Sequence, residues 1–182
     1  NFIFYSENKT YLKYSYLIIK SLSEKYPGQV CYVSSDHNDK IENLNVENFY
    51  IGNGFLRNFF FKSVATKNMF LTTTDLDNNE IKKNRNVLNY IYYFHSPVST
   101  FKQYSSGAFD NYDIILCNGK YQEDEIRKDE ILNNKKNKKF FNTGYFYFDY
   151  LKDRVNLNNN TNEILIAPSW NINDENFINK NF

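Results

Sequence analysis

The sequence predicts an α/β domain, a Rossmann-like parallel sheet with helices on both faces. Three observations predict it. Short runs rich in β-branched and aromatic residues alternate with segments whose apolar residues recur at three- and four-residue steps. Tight hairpin signals are missing between the runs, which favours crossover connections and a parallel sheet. The chain has 182 residues, 41% of them hydrophobic, and its 16 Tyr and 17 Phe supply bulky core material for one well-buried domain.

The elements follow in order. Phe2 to Tyr5 reads as a strand. Thr10 to Tyr26 reads as a helix, because Leu12, Tyr16, Ile19, Leu22 and Tyr26 share one face; Pro27-Gly28 stops it. Gln29 to Val33 is a β-branched and aromatic strand, and Phe49 to Ile51 a weaker one. Phe55 to Thr66 predicts a helix with Leu56, Phe59, Phe60 and Val64 as its apolar set. Asn68 to Leu71 and Tyr90 to Phe94 are strands, and Val98 to Ser105 a helix after Pro97. Tyr112 to Cys117 is a strand. Gln122 to Leu132 is a helix with Glu123, Asp124 and Glu125 near its start, where carboxylates favour the helix dipole. Lys139 to Asn142 is a strand and Phe146 to Arg154 a short helix. An Asn-rich stretch at 156–162 reads as a linker, dividing a first domain at 1–155 from the start of a second at 163–182, whose first strand is Glu163 to Ala167.

Composition excludes several classes. A net charge of +1, from 22 basic and 21 acidic residues, provides no general footprint for nucleic acid. No apolar run is long enough for a spanning helix, and Asn1-Phe2-Ile3-Phe4-Tyr5 lacks the pattern of a signal peptide. Cys31 and Cys117 make neither a disulfide framework nor a zinc cluster and read as buried free thiols, which suits a reducing, cytoplasmic setting. Lys135-Lys136-Asn137-Lys138-Lys139 is the one charge run; it reads as a solvated loop, or as a contact with an anionic membrane surface.

In open α/β sheets ligands bind beyond the carboxyl ends of the strands. Those ends are rich in small polar residues: Ser34-Ser35-Asp36, Thr72-Thr73-Thr74-Asp75, His95-Ser96-Pro97, Asn118-Gly119 and Thr143-Gly144-Tyr145. Such residues donate hydrogen bonds without filling space and leave helix-start N–H groups open to an anion, so a small phosphorylated ligand is expected there. Ordinary helix caps use the same residue types. His95 follows the most apolar strand directly, and an imidazole there can accept a proton from an attacking hydroxyl; position alone equally suits a partly buried His that begins the next helix. His37, in a polar loop, reads as solvated. Asp75-Leu76-Asp77 is similar to the metal-binding Asp-x-Asp of some sugar transferases, but the two distant His residues give no transition-metal site. The chain has no Walker loop, dinucleotide fingerprint or nucleophile elbow.

The stretch Tyr92-Tyr93-Phe94-His95-Ser96-Pro97-Val98-Ser99-Thr100, then Tyr104, then Ala108 through Gly119, resembles the CDP-glycerol glycerophosphotransferase family. Phe4-Tyr5-Ser6-Glu7, Tyr32-Val33-Ser34-Ser35-Asp36, Asn142-Thr143-Gly144-Tyr145, Asp149 and Ile164 through Trp170 match its order. The resemblance implies the N-terminal, acceptor-side domain of a two-domain GT-B enzyme whose C-terminal, nucleotide-binding domain barely begins here. It implies transfer of glycerol phosphate, or a related alditol phosphate, from a CDP-linked donor to a glycopolymer or lipid-linked acceptor. It further implies peripheral attachment at the inner face of the cell membrane and no cofactor or obligatory metal. His95 takes the place of the family's base. Ser96, Ser99 and Thr100 are expected to donate to a phosphate, Ser34, Thr72 and Gly119 to line the same edge, and Ser169 and Trp170 to approach the donor. Where many polymerising members carry Trp-His-Gly-Thr-Pro-Leu-Lys, this chain keeps the His but not the Gly or the Lys, which implies another acceptor or alditol. The alternatives are a GT-B nucleotide-sugar glycosyltransferase, a UDP-sugar 2-epimerase, or a non-catalytic module that binds acceptor or membrane.

Overall fold

A computed structural model of the chain describes residues 1–78, 81–152 and 154. The expected linker at 156–162, the strand from Glu163 to Ala167, and Ser169 and Trp170 lie outside the described residues. Seven strands form one sheet: β1 (Phe2–Ser6), β2 (Val30–Ser34), β3 (Glu47–Tyr50), β4 (Thr66–Leu71), β5 (Val87–Tyr93), β6 (Ile114–Cys117) and β7 (Lys139–Asn142). Their order is β3-β2-β1-β4-β5-β6-β7 and every pairing is parallel. This is a Rossmann-like arrangement, with strand order reversing between β1 and β4. The helices are α1 (Leu12–Lys25), which follows a 3-10 turn at Lys9–Tyr11, then α2 (Phe55–Ser63), α3 (Thr100–Gln103), α4 (Lys120–Leu132) and α5 (Phe146–Lys152). Among the described residues no helix is long and apolar enough to cross a membrane.

Side chains alternate across each strand, so the central strands feed two cores. Tyr32, Phe4, Phe70, Ile91 and Ile114 stand side by side in register beneath Ile19 and Leu22 of α1. On the other face Tyr5, Val33, Leu71, Tyr92 and Ile115 meet Phe61 of α2 and Ile126 of α4. Rings do much of the filling: Phe4 stacks on Phe70 at 4.2 Å, and Tyr92 meets Phe94, Phe109 and Tyr112 edge-on. The helix α5 returns to lie along α1, with Tyr16 against Tyr150 and Tyr14 against Tyr147.

Several boundaries differ from the sequence reading. The predicted helix at 55–66 ends at Ser63, since Val64 turns extended (ψ 138°) and Thr66 already opens β4; both are β-branched and favour that conformation. β5 begins already at Val87, and next to that start the Asn89 side-chain N–H donates to the Asn68 side-chain carbonyl at 3.0 Å. β6 begins only at Ile114, because Asp113 is engaged with Tyr90 through both its backbone N–H and its carboxylate. The helix expected at 98–105 shrinks to the single turn α3, ended by Tyr104 in extended conformation. Cys117 is buried as expected; Cys31 is only half-buried, and its thiol donates to Glu47 at 3.6 Å.

Candidate functional site

The carboxyl edge of the sheet is knit together at the switch point. Ser35 N–H donates to the Ser6 carbonyl, the Tyr5 and Ser35 hydroxyls share a bond of 2.9 Å, and Thr73 donates to Glu7 at 3.2 Å. His95 follows β5 on this edge. Its ring lies 5.6 Å from that of Tyr11, edge-on, and 5.9 Å from that of Tyr14. Tyr145, past the end of β7, donates its hydroxyl to the His95 carbonyl at 2.9 Å and stacks on Tyr14. Two tyrosines from the start of α1 thus flank the imidazole, and a third, from beyond β7, holds its backbone carbonyl.

The wall sets the electrostatics. Nδ1 of His95 is buried with no hydrogen-bond partner among the described residues. Burial of the ring lowers its pKa below the usual 6.5, so the imidazole is neutral at pH 7, the state able to accept a proton. Burial, then the neighbouring Tyr14 and Tyr147 rings, push the Tyr145 phenol up to about 12; burial, Glu7 and Tyr14 raise that of Tyr11. Both phenols therefore stay protonated, that of Tyr145 donating to the His95 carbonyl. The tyrosine wall was missed in the sequence, though Tyr11 and Tyr14 sit three residues apart where a helix begins, a spacing that puts both on one face.

The other expected site residues divide. Ser96 is close to the β6 end, where Asn118 donates to its carbonyl at 3.0 Å. Gly119 caps α4 with extended backbone, and a Cβ there would meet the Tyr121 ring at 3.1 Å. Ser99 and Thr100 are engaged within the chain: their hydroxyls donate to Glu125 of α4 at 2.8 and 2.7 Å, and the Thr100 N–H joins them. A carboxylate of the protein thus stands at the start of α3, where the sequence reading placed a phosphate. Burial pushes the Glu125 carboxyl up, but these donors outweigh it and hold it below its usual range. Ser34 is buried and donates to Asp39 at 2.8 Å, alongside Tyr32, tying down the β2–β3 loop. Thr72 is buried at the end of β4.

Asp75 and Asp77 both adopt left-handed backbone, at φ 59° and 69°, around the buried Leu76. Asp77 accepts from the Lys83 N–H, and Asn111 donates to the Leu76 carbonyl, so this loop packs as structure. Among the described residues no group of three or more His, Cys, Asp or Glu gathers to hold a metal ion. His37 lies edge-on against Tyr50 at 5.4 Å. The lysine run is neither a plain solvated loop nor a uniform basic patch. Lys138 is buried against Glu130 at 3.2 Å, and Lys135 bridges Asp110 and Asp129. Comparison with protein-family models, with curated proteins and with solved structures finds no match to this chain.

Proposed function

We propose that the chain is the acceptor-side domain of a GT-B transferase. It moves glycerol phosphate, or a related alditol phosphate, from a CDP-linked donor to a hydroxyl of a cell-surface glycopolymer, with His95 as general base. The observation that carries this reading is the neutral, half-buried imidazole of His95 on the carboxyl edge beside the switch point, backed by Tyr11, Tyr14 and Tyr145. The resemblance across 92–119 supplies the reaction class.

The acceptor oxygen attacks the donor phosphorus on the alditol side of the pyrophosphate while its proton passes to His95. The bond from that phosphorus to the bridging oxygen breaks, and CMP departs with the electron pair. Positioning and electrostatic stabilisation supply most of the acceleration in such transfers. Ser96 and the Asn118–Gly119 turn are the polar groups beside His95 on this edge. Ser99 and Thr100 act at one remove, holding the loop through Glu125.

The test uses protein that carries both domains, incubated with CDP-glycerol and separately with UDP-sugars, with CMP and UDP release followed. The expected result is CMP from CDP-glycerol in the presence of acceptor and no UDP. Replacing the base, His95→Ala, lowers turnover by about 10²–10⁴-fold with folding and donor binding retained. UDP release would move the protein to the sugar-nucleotide enzymes, and full activity in His95→Ala would remove the imidazole from the chemistry.

A further inference from the structure

A second site is built on the same side of the sheet as α1. The start of α1, the β2–β3 loop and the end of α5 enclose a cleft of about 340 Å³, near the lower end of small-molecule sites, which run roughly 300–1,000 Å³. Four cationic side chains line it, Lys9, Lys13, Lys40 and Arg154, with Tyr16 and Tyr150 in its wall. One carboxylate joins them, Glu42, which pairs with Lys40 at 2.7 Å. Lys9, Lys13 and Arg154 take part in no ion pair among the described residues. Past Lys9 and Lys40 the cleft opens toward Asp36 and His37, and the Asp36 carboxylate is turned to backbone N–H groups of Asn38 and Lys9.

Two of the cations are placed by aromatic faces. The Lys13 ammonium lies 5.0 Å from the Tyr14 ring and 5.1 Å from that of Tyr147, and the Arg154 guanidinium lies 3.7 Å over Tyr150. Like charges gathered in a concave, ring-walled cleft repel one another and attract an anion. A guanidinium fork beside point-charge ammoniums suits the tetrahedral oxygens of a phosphate.

We propose that this cleft is a phosphoryl-binding site, taking the phosphate group of a small polar ester on Lys9, Lys13 and Arg154. His95 is not among its walls, although Tyr14 touches both His95 and Lys13. The site therefore stands apart from the transfer reaction and survives the failure of that reading.

The experiment titrates the intact protein calorimetrically at low salt with inorganic phosphate and with glycerol 3-phosphate, with glycerol as the uncharged control. In parallel it measures sedimentation with phosphatidylglycerol-containing vesicles and with phosphatidylcholine vesicles. The expected result is saturable binding of the phosphoesters and none of glycerol. Binding weakens with salt, falls at least tenfold in the Lys13→Gln, Arg154→Gln double variant, and is retained in Lys136→Gln. If the double variant does not fold, Lys9→Gln alone reads a several-fold loss. Binding of soluble phosphoesters assigns the phosphate to a free ligand. Binding only to phosphatidylglycerol vesicles, lost in the same variants, assigns it to a lipid headgroup. Absence of both, or binding indifferent to these substitutions, overturns the site.

Discussion

At the scale of single residues, burial decides what an ionisable group can do, and His95 and Glu130 show the two outcomes. His95 is half-buried with no charged partner among the described residues, so its pKa falls below 6.5 and the neutral form is favoured. Because the unfolded chain binds a proton more readily, this group's contribution to stability is complete above about pH 6.5 and is lost as pH falls through the lower folded pKa. Denaturant melts from pH 7 to pH 5 should show declining stability that His95→Gln flattens, and turnover should fall on the acid side with the same pKa. Glu125, held below its usual range, adds its own loss only at more acidic pH, below the ordinary carboxylate range. Glu130 takes the other course. It is buried between Lys138 at 3.2 Å and Arg127 at 2.7 Å, and it also accepts from the Lys138 N–H. Removing one member of such a group leaves a buried charge uncompensated, so Glu130→Ala should cost about 3–5 kcal/mol in urea unfolding.

At the scale of elements, α3 and α4 form one unit. A single helical turn cannot hold itself together, because nucleation costs more than one hydrogen bond returns. Glu125 supplies what is missing by accepting from Ser99 and from both donors of Thr100, while Gln122 donates to the Val98 carbonyl at 3.0 Å and accepts from Asn118. Hydrogen bonds to an ionised group are worth about 1.5–3 kcal/mol, so Glu125→Ala should destabilise the protein by that amount and speed amide exchange across 98–104. Glu125→Gln, which keeps an acceptor, should lose less. This pairing also explains what was legible in the sequence. Pro97 marked the first helix and the early acids the second, but the acids at the start of α4 read as partners of its own dipole, since nothing local shows that Glu125 caps another helix. The same limit made Ser99 and Thr100 look available to a ligand. Lys138 carried the same ambiguity: in sequence it belongs to a basic run, and only the packing of α4 against β7 shows it buried.

At the scale of the whole molecule the sheet was legible because its central strands are buried on both faces and therefore read as near-continuous apolar runs. The edge strand β3 was harder: all four of its residues are exposed, so no core pattern marks it, and its exposed Glu47 blunts the edge against further pairing. The place of His95 on the carboxyl edge was legible from its position after β5, whereas the tyrosines around it come from two distant segments that only the fold brings together. The same geometry predicts where the molecule is vulnerable. Phe4 is wholly buried at the switch point, stacked on Phe70 and edge-on to Tyr93, in the row of side chains that links β2 through β6 beneath α1. Phe55, of the same residue type, begins α2 and is 80% exposed. Phe4→Ala opens a cavity that the rigid central strands cannot close, and should cost about 3–5 kcal/mol. Phe55→Ala removes surface that water already reaches, and should stay within about 0.5 kcal/mol. Urea unfolding of the two variants measures the difference directly. Equal costs would mean that the aromatic rows do not carry the sheet, since the two substitutions delete the same atoms and differ only in what surrounds them.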